Sequence, residues 1–278
     1  MKFNPDNLNI HELATQEPKR ASVVFDPERE LFEGDWDIIK ERLEDCQDRG
    51  QTVDYAESLS YASIAFPEIF EKEANHKMFG ILSDGCQSDY VAARFAMLSY
   101  AKICFPQDYQ DNNLNELAEK KWIEYKTGIA EHKQDGDFHN LCPSLLKAKI
   151  IFPDKFNELG IEEQTYEGMR QYLMSNFSKD NDTSYKYYAQ FLGSMRIIFP
   201  EKFSEFSPGE EDWNKMRETL ENARTAGENW GFPLLAGNLK ILAAEKVEIT
   251  DKGLKITMPK EKESLQGETP VMPEQKQF

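Results

Sequence analysis

The sequence predicts an all-α protein of tandem helix-pair repeats, a right-handed α-solenoid or curved helical array closed by a small C-terminal β-hairpin cap. Three observations carry that prediction. A Phe-Pro dipeptide recurs at Phe66-Pro67, Phe105-Pro106, Phe152-Pro153 and Phe199-Pro200, at intervals of 39, 47 and 47 residues. Its flanks recur with it: Ile64-Ala65, Ile103-Cys104, Ile150-Ile151 and Ile197-Ile198 precede the four dipeptides, and Phe70, Tyr109, Phe156 and Phe203 stand four residues after each Phe. Upstream of the junctions, apolar residues fall at helical spacing. Self-similarity at such a period is what stacked supersecondary units leave in a sequence.

Residues 1–20 show no such pattern and read as a flexible N-terminal segment. The repeat region spans residues 21–247 and begins with a degenerate copy, Val23-Val24-Phe25-Asp26-Pro27, in which one residue is inserted ahead of the proline. The first helix of a unit carries an aromatic anchor followed by apolar residues three and seven positions on. These sets are Trp36, Ile39, Leu43; Trp122, Tyr125, Ile129; Tyr166, Met169, Leu173; and Trp213, Met216, Leu220. That spacing puts each trio on one helical face, so the anchors are core and not a ligand-stacking ladder. The second helix has small or apolar residues four and seven positions before the Phe, as in Leu145, Ala148 and Leu192, Met195.

It ends at the Phe because a residue before proline is pushed out of helical dihedrals, while the proline itself suits the first position of a following turn. Between the two helices stand Asp84-Gly85, Asp135-Gly136-Asp137, Asp180-Asn181-Asp182 and Ala226-Gly227, which supply breaker or cap chemistry. The second copy, His76–Ile81, lacks the Trp-like anchor at its expected place, and its 39-residue interval implies a shortened first helix. The last copy, Ile241 to Val247, replaces Phe-Pro by Ala-Ala, as suits a unit at the end of an array. Residues 246–258 alternate around Asp251-Lys252-Gly253 and read as a hairpin. Residues 259–278, with three prolines and no periodicity, read as a disordered tail.

Two helices per unit and a period of 39 to 47 residues resemble the HEAT and armadillo class of helical repeats more than the 34-residue tetratricopeptide repeat. The resemblance is architectural and implies an extended surface for protein or peptide recognition.

Composition narrows the partners. The chain has 278 residues, 33 Lys and Arg against 50 Asp and Glu, and a formal net charge of −17. The acids are spread through the repeat region, since residues 1–20 and 260–278 are nearly balanced. Such a field repels nucleic acid and anionic membranes at long range, leaving proteins or peptides as the expected partners. With 40% apolar residues the chain can bury a core. Cys46, Cys86, Cys104 and Cys142 are too few and too scattered for a disulfide framework. No leader-like or membrane-spanning run is evident, so the expected location is cytoplasmic.

Bases recur in register despite the acidity. Four residues after the anchor stand Lys40, Lys126, Arg170 and Arg217; three residues before the Phe stand Lys102, Lys149, Arg196 and Lys240. Equivalent positions on stacked units form a stripe that would hold an acidic segment or a carboxylate by charge-assisted hydrogen bonds, unless neighbouring acids such as Glu41, Glu167 and Glu218 neutralise it. The densest polar cluster, His132, Asp135, Asp137, His139 and Cys142, has donor atoms suited to zinc but the wrong spacing, and it falls in an interhelical connection where Asp and Gly are needed anyway. No cofactor is called for, and no nucleophile elbow, phosphate loop or HExxH motif occurs. The favoured function is therefore a noncatalytic scaffold or adaptor holding an acidic or extended segment of a partner. The alternative is a helical-toroid enzyme with a carboxylate pair or metal centre, which demands acids facing into a closed ring. A third reading is nucleic-acid backbone binding along the stripe.

Overall fold

The computed structural model describes residues 24–177, 182–226, 231–250 and 253–259. The expected N-terminal segment 1–20, nearly all of the expected tail, and most of the 180–182, 226–227 and 251–253 connections lie outside them. The described chain is helical throughout, apart from one C-terminal hairpin.

Five second helices line the centre: α3 (Thr52–Ala65), α6 (Val91–Cys104), α10 (Phe138–Ile151), α12 (Asp182–Ile198) and α14 (Phe232–Ala243). Outside them stand the first helices α2 (Asp35–Asp48), α5 (His76–Gly85), α9 (Trp122–Asp135), α11 (Glu163–Asn176) and α13 (Glu210–Thr225). Short helices follow the prolines: α1 (Pro27–Glu30), α4 (Pro67–Glu73), α7 (Pro106–Asp111) and two 3₁₀ helices, Pro153–Leu159 and Pro200–Glu205; α8 (Leu114–Lys120) is an extra helix of the third unit. In the four full copies the Phe has nearly the same backbone conformation, φ −124 to −135° and ψ 57 to 63°, and the proline opens the next helix.

The anchors do what their spacing implies. All twelve residues of the four first-helix trios are buried. Trp36 meets Phe66 edge-on, Trp122 meets Phe152 at 4.6 Å and Tyr166 meets Phe199 at 5.2 Å, so these three anchors pack on the junction Phe of their own pairs. The missing anchor of the second copy is Phe79. It meets Phe105 at 5.7 Å, and Leu82 and Cys86 continue its buried face. Helix α5 has 10 residues where α2 and α9 have 14, so its anchor lies one turn closer to the junction.

The array curves until its ends meet. Consecutive inner helices pack side by side from α3 to α14, and α14 then packs on α3 through the most extensive interhelical contact in the molecule. At that seam Gly237 of α14 lies against Tyr61, where a Cβ would sit 2.8 Å from the Tyr61 carbonyl oxygen. The two degenerate copies complete one another. The last pair ends in Ala243-Ala244 without Phe-Pro, and α1, opened by the N-terminal Pro27, packs against α14. Arg217 and Arg224 of α13 lock this join through Glu30 Oε2 at 2.6 Å and Asp35 Oδ1 at 2.7 Å.

Strands β1 (Lys246–Thr250) and β2 (Gly253–Thr257) pair antiparallel, Thr250 opposite Gly253, with Gly253 at φ +89°. The hairpin packs over the C-terminal ends of the inner helices. Val247, Ile249, Leu254 and Ile256 cover Ile64, Ile197 and Ile241. An isolated two-stranded ribbon is marginal in water, and this apolar contact supplies what it lacks.

Candidate functional site

Closing a ring of five helices leaves a space on its axis. The residue two positions before each junction is an isoleucine in all five pairs, and Ile64, Ile103, Ile150, Ile197 and Ile241 together line the bottom of a central chamber, with Leu254 of the hairpin beneath them. Helical spacing then brings the residues five and nine positions before the junction onto the same inward face. There the chain is polar: Tyr61, Tyr100, Lys147, Ser194 and Asn238 occupy the first of these positions, and Glu57 and Gln190 two of the second. The space open to water-sized molecules is about 60 Å³, room for a few waters or a small functional group. Val53 and Tyr187, one turn toward the N-termini of α3 and α12, are 38% and 43% exposed, which makes that end of the ring the one facing solvent.

Most polar groups of the chamber have partners. The Tyr100 hydroxyl and the Gln190 amide both donate to Glu57 Oε1 at 3.2 Å. Asn238 and Gln190 hydrogen-bond the Tyr61 hydroxyl, and Asn238 also donates to the Leu234 carbonyl at 2.7 Å. The hydroxyls of Ser60, Ser99 and Ser194 fold back onto carbonyls of their own helices. Lys147 stands apart. Among the described residues it has no hydrogen-bond acceptor and no carboxylate at ion-pairing distance, and its only charge interaction is a longer-range one with Glu57. Burial raises the Glu57 carboxyl, opposed by the Tyr100 hydrogen bond and the Lys147 charge, and burial lowers the Lys147 ammonium, opposed by Glu57. Tyr100 is pushed well above the usual phenol range by burial and by Glu57. An acid, a base and hydrogen-bonding amides converging in a cavity are the ordinary makings of a binding or reactive site.

All eight basic residues singled out from the sequence are engaged within the chain, in two different ways. On the outer helices Lys40 faces Asp37 at 3.6 Å, Lys126 faces Glu158 at 3.5 Å, Arg170 faces Glu167 at 3.3 Å and Arg217 binds Glu30. The second series points between pairs. Lys102 donates to the Ile151 carbonyl at 3.1 Å, Arg196 to the Leu242 carbonyl at 2.6 Å and to that of Ala244, and Lys240 to the Ala65 carbonyl at 3.0 Å. Each thus reaches from its own pair to the carbonyl at or near the end of the next inner helix, and Lys240 carries the pattern across the seam from α14 back to α3. These are cations satisfying orphan carbonyls at helix C-termini. Lys149 lies 4.5 Å over the Phe156 ring instead.

The polar cluster of the third pair is divided by its geometry. Gly136 at φ +67° caps α9, Asp137 caps α10 through the Asn140 amide, His132 pairs with Asp137 at 3.3 Å, and His139 meets the Tyr172 hydroxyl at 3.3 Å. Cys142 is buried elsewhere in the core, and no grouping of three or more metal-ligating side chains occurs among the described residues. Among them also, no helix is long and apolar enough to cross a membrane. The alternative of a carboxylate pair finds one acid on the chamber wall, Glu57; Asp54, one turn away, is turned toward Arg42 at 3.9 Å.

The chamber residues were missed from the sequence because they differ in type from pair to pair. The signal was a polar residue five positions before each junction, in helices otherwise nearly all apolar or small. The chain matches no protein-family model, no curated protein and no solved structure, so the class it defines is a closed five-pair helical ring with a polar axial chamber.

Proposed function

We propose that the protein is a noncatalytic binding module, a scaffold or adaptor that holds an extended segment of a partner protein across the solvent-facing end of the ring, with the end of that segment entering the chamber. The observation that carries this is the asymmetry of the axis. One end is stoppered by the hairpin, and the other leads past the exposed Val53 and Tyr187 to a polar pocket. Aromatic and aliphatic side chains at a rim with polar groups beneath suit an extended chain that buries side chains and hydrogen-bonds its end. The outer cations Lys40, Lys126, Arg170 and Arg217 are a secondary place for acidic residues of the same partner, which would exchange with the surface pairs at little cost because such pairs contribute about 0–1 kcal/mol. Four buried thiols suit a reducing compartment, and we place the protein in the cytoplasm.

The test is quantitative capture from native lysate with the full chain, a rim variant (Val53→Glu with Tyr187→Glu) and an outer variant (Lys126→Glu, Arg170→Glu, Arg217→Glu). A partner retained by the wild type and lost by the rim variant supports the reading. Equal capture by all three refutes it. The enzyme reading is favoured by one observation, Glu57 and Lys147 sharing the chamber; a turnover abolished by Glu57→Gln with binding intact would establish it.

A further inference from the structure

The chamber carries a second inference, which rests on its being a binding site. Lys147 lines the chamber on the ring axis and, among the described residues, has no hydrogen-bond acceptor and no carboxylate at ion-pairing distance. Its ammonium is partly exposed to the chamber and held by no protein acceptor, where an apolar residue would pack beside Leu146 and Ile150. A cation held in a concave site with no protein acceptor is placed to receive an anion from solution. Glu57 does not serve as that anion: it lies beyond ion-pairing distance, and its Oε1 already accepts from Tyr100 and Gln190.

We infer that the chamber binds a carboxylate group, with Lys147 as its counter-charge beside Glu57, which Tyr100 and Gln190 hold in place. The chemistry is specific to a small, singly charged oxyanion. One ammonium matches one negative charge, whereas a phosphate dianion would set two charges opposite Glu57. Burial raises the Glu57 carboxyl above its usual range, which lessens its repulsion of a bound carboxylate. The exposed Val53 and Tyr187 above give the rest of the ligand an apolar neighbour. Such a group can come from a free small acid or from the C-terminus of a polypeptide.

The experiment is titration of the full chain by calorimetry with acetate, isovalerate, inorganic phosphate, and a short apolar peptide with either a free or an amidated C-terminus. Binding of a carboxylate probe, and none of phosphate or the amidated peptide, is the expected result. Isovalerate without the peptide identifies a free acid as the source; the free-terminus peptide without isovalerate identifies a chain end. Lys147→Met should weaken the binding by about 10- to 100-fold while circular dichroism stays helical. Lys147→Arg should keep most of it. No carboxylate binding, a preference for phosphate, or an undiminished affinity in Lys147→Met overturns the inference. If carboxylates fail to bind while the rim variant still loses its partner, the inference falls and the binding-module reading stands; the reverse pattern separates them the other way.

Discussion

Arg196 is the point at which the repeat's chemistry can be measured. It is only 7% exposed, its guanidinium lies 3.9 Å over the Phe203 ring, and it donates to the carbonyls of Leu242 and Ala244, where α14 ends and the chain turns into the hairpin. Burial lowers its pKa to about 10, so it remains cationic at neutral pH. Arg196→Met keeps the length and apolar stem but strands two carbonyls. Each charge-assisted bond contributes about 1.5–3 kcal/mol and the ring contact about 1 kcal/mol, while relief of the buried charge offsets part of the total. The net loss should be about 2–4 kcal/mol, read from urea unfolding followed by circular dichroism at 222 nm, a wavelength of about the usual helical minimum. The same substitution elsewhere in the series should grade with the bonds removed: about 1–2 kcal/mol for Lys240→Met, which gives up one carbonyl contact, about the same or slightly more for Lys102→Met, which also leaves the Tyr109 ring, and less than about 1 kcal/mol for Lys149→Met, which gives up a ring contact. A flat series, with Arg196→Met within about 0.5 kcal/mol of wild type, would refute the assignment of these cations to interpair staples.

Ring closure makes a pair of glycine substitutions diverge. Gly80→Ala, in open space on α5, should stabilise by about 0.5–1 kcal/mol, whereas Gly237→Ala, blocked by the Tyr61 backbone at the α14–α3 seam, should destabilise by about 1–3 kcal/mol in thermal unfolding; equal effects would mean the seam does not form in solution. Glu57→Gln keeps an acceptor for Tyr100 and Gln190 and removes a charge that burial disfavours, so it should raise stability by about 1 kcal/mol at neutral pH. The sign follows from linkage: with its folded pKa raised above 4.5, the wild type is favoured below that value and loses stability as pH rises through the folded pKa, so the gain should vanish in acid; a gain independent of pH would contradict it. Leu254→Asp places a carboxylate against the isoleucine floor of the chamber and should free the hairpin, seen as new proteolytic cleavage within residues 246–258 and increased binding of a hydrophobic dye.

The junctions and first-helix anchors were legible because their causes are local. Proline ends a helix wherever it stands, and an aromatic followed by apolar residues at three and seven positions marks a buried stripe in any helical context. Phe79 escaped notice because α5 is one turn short, so the anchor kept its contact with Phe105 but not its sequence interval. The register of Lys102, Arg196 and Lys240 was also visible, but not its use: the acceptors Ile151, Leu242 and Ala65 lie 49, 46 and 175 residues away. The chamber was the least visible part. Glu57, Lys147, Tyr100, Gln190 and Asn238 share a face only after five helices stand around one axis, and as single polar residues in apolar helices they carry no common motif.

From its residues alone the chain determined an all-helical array with a C-terminal hairpin, because helix stops, buried stripes and turn glycines act over a few residues. Closure is a property of the sum. Small rotations between neighbouring pairs accumulate until α14 meets α3, and whether they reach a full circle depends on packing at each interface, on a glycine at the seam and on cations that grip the next helix's end. Only that closure turns inward-facing side chains of five helices into one chamber and sets Lys147 inside it across from Glu57.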